Sequence, residues 1–175
     1  LGETVQPTAT RVLGTLRDHP DGDTATWAVY GMRFDLPADD TVKDHKFLTG
    51  HLSMRFTGDG DEIEVERYSL AQMQLDGEPF ESWYDEKEDG EVEERVALPE
   101  DVSHHPGTAT SGTAVDPATA NQRMAWLPWR RPKRIRFERC GWHCSDGNKL
   151  YLVRRIGKEP DRDRLFQVAQ TLKCH

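Results

Sequence analysis

The amino-acid sequence predicts an α+β fold, a mostly antiparallel sheet flanked by helices. Short runs of alternating apolar and polar residues recur along the 175-residue chain, and Gly/Asp-rich turns separate several of them. No strand–helix–strand alternation is visible, and strands that are joined by tight turns pair antiparallel. A chain of this length fits one domain, residues 1–175.

The first third of the chain predicts a helix and then strands. Apolar residues at helical spacing predict a helix over residues 8–18, and alternation predicts one strand over residues 26–34. Residues 50–57 and 62–67 alternate on either side of an acidic glycine-containing turn, which is typical of a hairpin. We therefore expect two neighbouring strands here, preceded by one strand and one helix.

The middle of the chain predicts a second helix and two more strands. The apolar residues that recur at near-helical spacing are Leu70, Met73, Phe80, Trp83 and Tyr84. Asp76-Gly77 is a possible break inside this helix, because glycine disfavours the helical interior. Strands are expected over residues 91–98 and, unless residues 101–122 form one long loop, over residues 107–115.

The C-terminal third predicts a hairpin and a closing helix. Ile135 and Phe137 alternate with charged residues, and a second alternating run follows the turn at residues 145–148. The Asp-Gly pair in this turn is expected to supply the positive φ of a tight hairpin. Pro160 and Asp161 then begin a helix with an apolar stripe.

These periodicities predict which side chains form the core. The expected core residues are Trp27, Phe34, Leu52, Met54, Phe56, Ile63, Val65, Phe80, Trp83, Ile135, Phe137, Leu150, Leu152, Leu165, Val168 and Leu172. Large aromatic and aliphatic side chains at such spacing are far more often core than part of a cofactor site.

A family resemblance follows from the order of these elements. Residues 29–37, VYGMRFDLP, are followed by a strand that Gly50 opens, and then by an acidic hairpin. Together with the closing strand pair and C-terminal helix, this order resembles uncharacterised prokaryotic members of the PsbP/Mog1-like α/β/α sandwich group. The resemblance implies a sandwich fold and a role as a binding or accessory subunit. It carries over no functional residue.

Charge is distributed unevenly along the chain, which has a net charge of −8. Residues 58–101 contain 17 Asp or Glu against three basic residues, whereas residues 123–158 contain 11 Lys or Arg against two acidic ones. Two interpretations are open. The acidic and basic surfaces face each other or merely solvate the fold, or the molecule is dipolar and docks a charged partner by its basic face.

The basic segment leads to the first functional hypothesis, a non-enzymatic binding or accessory subunit. Residues 126–139 combine tryptophan with arginine, the residues that dominate interface hot spots. The expected partner-binding residues are Trp126, Trp129, Arg130, Arg131, Lys133, Arg134 and Arg136. The partner is expected to be a protein, because the acidic remainder of the chain would repel a nucleic acid. Packing of the tryptophans onto the chain's own core is the structural alternative.

The alternative hypothesis is a small zinc- or iron-binding domain, or a Cys/His enzyme. Two Cys/His pairs, His143-Cys144 and Cys174-His175, lie about 30 residues apart and offer the sulfur and nitrogen donors that zinc prefers. Neighbouring residues on a strand point to opposite faces, so His143 and Cys144 cannot both ligate without a distortion. His105, or His104 beside it, could replace one of them. A Cys144–Cys174 disulfide and a Cys144/His105 nucleophile pair remain open.

Several classes of protein are excluded or disfavoured. The chain contains no phosphate-binding loop, nucleophile elbow, HExxH motif or dinucleotide fingerprint, so no catalytic residue is predicted. No run of about 18 apolar residues predicts a membrane span, and no signal peptide is visible. Three cysteines are too few for a secreted disulfide scaffold, which favours a reducing, cytoplasmic setting.

Overall fold

A computed structural model describes residues 22–88, 90–99, 102, 104–116 and 133–174. The strands in these ranges are β1 (Thr24–Val29), β2 (Met32–Pro37), β3 (Thr41–Leu48), β4 (His51–Gly58), β5 (Asp61–Ser69), β6 (Glu91–Ala97), β7 (Gly107–Val115), β8 (Arg134–Cys144) and β9 (Lys149–Gly157). The helices are α1 (Ala71–Leu75), α2 (Phe80–Glu86) and α3 (Arg162–Thr171). The helix predicted over residues 8–18 lies outside the described residues. No helix in the described ranges is long and apolar enough to span a membrane.

Seven of the strands form one sheet, in the order β3-β4-β5-β9-β8-β7-β6, and every neighbouring pair is antiparallel. Strands β1 and β2 form a separate antiparallel hairpin. The predicted α+β class with a mostly antiparallel sheet is therefore confirmed. The hairpin of β8 and β9 lies in the middle of the sheet, between the β4–β5 pair and the β6–β7 pair.

Both outer strands of the sheet contain an irregularity. The pairing register of β3 with β4 shifts between Val42 and Asp44. The register of β6 with β7 shifts between Val92 and Glu94. Such bulges insert an extra residue, interrupt the ladder and increase the local twist of the strand.

Helices cover parts of both faces of the sheet, because its central strands are apolar on both sides. On β9, Tyr151 and Val153 face the larger core, to which α3 and the β1–β2 hairpin contribute. The alternate residues Leu150 and Leu152 face α1 and α2 on the other side, where they pack with Trp83 and its neighbours. The sequence of such a strand is a continuous apolar run, because both of its faces are covered.

The predicted core is confirmed almost completely. All but two of the predicted side chains are buried, including Phe34, Phe56 and Leu165 at 0–1% exposure. The two exceptions, Trp27 and Ile135, are half-buried, and Trp27 packs against the larger core with its ring 4.9 Å from that of Phe56. Alternation was thus a reliable guide wherever one face of a strand is covered.

One strand prediction was wrong, and one strand was missed. The single strand expected over residues 26–34 is a hairpin, because Tyr30 and Gly31 have positive φ angles of 44° and 78° and reverse the chain. Strand β3 was not predicted at all. Each of its eight residues is exposed, so no alternation of apolar and polar side chains marks it.

The second predicted helix and the β8–β9 turn also differ from the prediction. The break at Asp76-Gly77 is present, but Leu70 and Met73 are exposed at 53% and 75% and do not belong to the core. Leu70 precedes α1 with a left-handed backbone, φ 59°, which turns its side chain away from the helical stripe. In the β8–β9 turn the positive φ, 48°, lies at Asn148 rather than within the Asp-Gly pair.

The start of α3 supplies a stability prediction. The side chain of Asp161 accepts a hydrogen bond from the backbone N–H of Arg164 at 3.1 Å and thereby caps the helix. We expect Asp161→Ala to lower the free energy of unfolding by about 1 kcal/mol, since a helix N–H loses its partner. Asp161→Asn keeps an acceptor and should cost less. Urea unfolding of both variants measures this, and equal losses would contradict the capping role.

Candidate metal centre

Strand register brings His105 to the end of β8. Gly107 pairs with Trp142, so continuing the antiparallel register by two residues sets position 105 level with Cys144. The approach is close at this point, because a Cβ on Gly107 would lie 2.4 Å from the carbonyl oxygen of Gly141. Glycine at this position therefore lets the segment before β7 come up against β8.

Cys174 reaches the same place from the end of α3. Beyond the helix, Lys173 forms an antiparallel bridge with Arg33, and its N–H donates to the Arg33 carbonyl at 2.8 Å. The hydroxyl of Tyr151 lies 3.4 Å from the carbonyl oxygen of Cys174 and donates to it. Backbone contacts to β2 and a side-chain contact to β9 thus fix the position of Cys174.

The ring nitrogen of His105 and the sulfur atoms of Cys144 and Cys174 all lie within 4.8 Å of one another. The Nε2 atom of His105 is 3.3 Å from the sulfur of Cys174. Cys144 is fully buried, Cys174 is 8% exposed and His105 is half-buried. Three segments that are distant in sequence therefore present sulfur and imidazole donors to one point, as a zinc site requires.

The surroundings of the two sulfur atoms differ. The N–H of Gly147, in the β8–β9 turn, donates to the sulfur of Cys144 at 3.4 Å. Burial, and then the nearby Cys144 sulfur, raise the pKa of the Cys174 thiol to about 11. Burial also raises the pKa of the Cys140 thiol, which lies on β8 away from the cluster. None of the three cysteines forms a disulfide.

The other predicted metal ligands do not join this cluster in the described part of the chain. His143 pairs with Leu150 and points to the α1–α2 side of the sheet, opposite Cys144. The alternation argument from the sequence was thus correct for His143 and Cys144. His175 lies outside the described residues, and His104, beside His105, has a left-handed φ of 58°.

A cavity of about 450 Å³ adjoins the cluster. Cys174 and His105 line it, whereas Cys144 is not among its lining residues. The remaining lining residues are Val102, His104, Asp146, Gln170, Leu172 and Lys173. The cluster thus has a buried side, formed by Cys144, and a side that faces open space.

The predicted partner-binding residues are only partly described. Trp126, Trp129, Arg130 and Arg131 lie outside the described residues. Lys133, Arg134 and Arg136 lie at the start of β8, and Arg134 and Arg136 form ion pairs of 2.6 Å and 3.0 Å with Glu91 and Glu93 on β6. A buried pair joins Arg139 with Glu88, and a more exposed pair joins Arg162 with Glu94. In the described residues, acidic and basic surfaces therefore face each other.

A second cavity, of about 540 Å³, lies beside the start of β8. Its basic lining residues are Lys43, Arg55, Lys133, Arg134, Arg136, Arg154 and Lys158. Its acidic lining residues are Glu62, Glu64 and Asp116, so basic side chains predominate. The cavity lies at the end of β8 and β9 that is opposite to the Cys/His cluster.

Comparison with known proteins does not identify the chain. No protein-family model matches it, and no curated protein matches it. One solved structure, from Bacteroides thetaiotaomicron VPI-5482 at 1.50 Å resolution, is 9% identical with a TM-score of 0.48. The match covers 88% of this chain and 48% of the other, so this chain spans about half the length of that protein. Function is therefore inferred from the site geometry.

Proposed function

We propose that the protein binds one divalent transition-metal ion, zinc in the first instance, through Cys144, Cys174 and His105. The observation that carries the proposal is the convergence of their three donor atoms within 4.8 Å. Thiolate and imidazole together suit zinc, and zinc has no geometric preference of its own that the cluster would have to satisfy. Iron is the second choice for the same donors.

The surroundings of Cys174 favour a metal ligand over a cysteine nucleophile at this position. A catalytic cysteine needs a thiol pKa below the ordinary value, so that thiolate is present at neutral pH. The pKa of the Cys174 thiol is shifted the other way, to about 11. A metal ion overcomes such a shift, because its charge compensates the thiolate directly.

Binding would connect parts of the fold that the backbone alone leaves separate. The ligands come from the end of β8, the segment before β7 and the third residue beyond α3. An ion held by all three stabilises the folded state to the extent that it binds this state more tightly than the unfolded chain. At a free zinc concentration 1,000 times the Kd, this linkage contributes about 4 kcal/mol. The proposed role is thus a structural or regulatory metal centre.

A zinc titration at several pH values tests the proposal. The ligands bind as thiolates, and the Cys174 thiol holds its proton up to a pKa of about 11. Raising the pH removes the competing proton, so affinity should rise through the neutral range. The increase is up to about 100-fold per pH unit if two thiols each release a proton. Competition with a chromophoric chelator measures it. Binding that is weak, not stoichiometric or independent of pH would contradict the proposal.

We propose docking of an acidic protein segment through residues 126–139 as the second candidate function. The observation that favours it is the basic lining of the 540 Å³ cavity beside Lys133. Exposed pairs such as Arg134–Glu91 contribute little stability, so a partner's carboxylates could replace them at small cost. The PsbP/Mog1-like sandwich and its accessory-subunit role belong to the same proposal. A reducing, cytoplasmic setting is part of the same proposal, because it suits three cysteines that form no disulfide.

Trp129→Ala tests the docking proposal. On the scale of interface hot spots, the variant should bind its partner about 2 kcal/mol more weakly while its melting temperature stays unchanged. Quantitative pull-down from the native source measures the difference. Lys173→Ala, an exposed lysine at the opposite end of the sheet, is the control. A Trp129→Ala protein that unfolds, or that retains full binding, would show that this tryptophan is structural.

A further inference from the structure

We propose that the metal ion keeps one coordination position for a small anion from solvent, which enters through the 450 Å³ cavity. This inference rests on the metal binding proposed above and adds the identity of the fourth ligand. Zinc in structural sites is bound by four protein donors, whereas sites that react with solution ligands hold zinc with three. Within the described part of the chain the cluster offers three, His105, Cys144 and Cys174.

The position of the cavity fixes where the fourth ligand would lie. Cys144 is fully buried and its sulfur accepts from the turn N–H of Gly147, so this side of the cluster is closed. His105 and Cys174 line the cavity, so an ion between the three donors would border it. A volume of about 450 Å³ exceeds the roughly 30 Å³ of one water many times over. Small solutes therefore fit beside the ion.

The charges around the cavity favour an anion over a neutral donor. A divalent ion with two thiolates and a neutral imidazole has no net charge, so nearby side chains decide the preference. Lys173 lines the cavity, and the Nζ atom of Lys149 lies 3.5 Å from the carbonyl oxygen of Cys174. The carboxylate of Asp146 also lines the cavity and offsets the charge of the two lysines. An anion must therefore be small and bind to the metal ion itself. The ligand class is a monodentate anion of the size of hydroxide, azide or a small thiolate.

Cobalt(II) substitution and azide provide the experiment. Cobalt(II) bound to two thiolates has sulfur-to-metal charge-transfer bands and visible d–d bands that report each coordinated atom. In the open site we expect azide to shift the d–d bands in a saturable way while the charge-transfer bands remain. Lys173→Ala should weaken azide binding about twofold to fivefold, the effect of one exposed charge. Lys158→Ala, at the other end of β9, should leave it unchanged.

The outcomes separate this inference from the metal proposal. If cobalt gives no charge-transfer bands, the Cys/His cluster binds no metal and both proposals fail. If the bands are present but azide changes nothing, the metal proposal stands and the open position is refuted. Azide sensitivity that appears only in Asp146→Ala, His104→Ala or His175→Ala would refute it too, because that residue then closes the site. Unchanged azide binding in all three variants supports the open position.

Discussion

Replacing Cys144 by serine is expected to abolish stoichiometric zinc binding. Cys144 supplies the buried donor of the cluster, and serine is a poor ligand for zinc. We expect the affinity to fall by more than about 100-fold, beyond the 10–100-fold typical of groups that only orient a ligand. Elemental analysis of the purified protein and competition titration measure it.

Cys140→Ala is the matched control for this variant. Cys140 is also fully buried on β8 and points to the same face, but it lies four residues from Cys144, about 13 Å along the strand. It should lose some stability by truncation and keep one zinc per chain. Unfolding both variants in the presence of a chelator separates loss of metal from loss of fold. Full zinc content in Cys144→Ser would refute the centre.

Replacing Arg155 by methionine is expected to destabilise the fold more than any exposed charge change. Arg155 is 4% exposed and forms ion pairs with Glu138, at 2.8 Å, and with Asp61. The variant leaves the buried Glu138 carboxylate without its cation and Asp61 with only a longer pair, 3.9 Å from Arg164. Breaking a buried pair from one side costs about 3–5 kcal/mol. Denaturant unfolding measures the loss.

Arg134→Met is the matched control for the buried pair. Arg134 also forms an ion pair with a glutamate, Glu91 on β6, but both side chains of this pair are more than half exposed. Exposed pairs are worth about 0–1 kcal/mol, so this variant should be nearly neutral. In Arg155→Met, the further change Glu138→Gln should recover part of the loss by removing one uncompensated charge. A loss below about 1 kcal/mol in Arg155→Met would contradict the buried-charge argument.

The sequence predicted β4 because apolar side chains mark one of its faces. On β4, Leu52, Met54 and Phe56 are buried and mark the strand by alternation. Strand β3 is exposed on both sides, so its sequence contains no such signal. The β1–β2 turn was missed because Tyr30, rather than a glycine or asparagine, holds its first positive φ. Neither the residue types at turns nor the alternation of side chains could have located β3 or the β1–β2 turn.

The residue types of the candidate site could be predicted from the sequence, but not which histidine joins the two cysteines. The sequence identified Cys144, Cys174 and the choice between His143 and His105, since strand alternation separates neighbours. It could not select His105, because that choice depends on the register of β7 against β8. Eighteen residues, 116–133, separate these two strands, so no short turn fixes the register. Tertiary pairing, rather than a local motif, assembles the cluster.

The bulges in β3 and β6 have a consequence for self-association. An open sheet exposes unpaired N–H and C=O groups along both outer strands, and these can recruit strands of other molecules into aggregates. Here β3 carries Lys43, Asp44 and Lys46, β6 carries several glutamates, and each has a register shift that twists it locally. Charge and twist at both borders oppose the flat, continuous pairing on which fibril growth depends. Among the described residues, both borders of the seven-stranded sheet thus carry features that oppose the addition of a strand from another molecule.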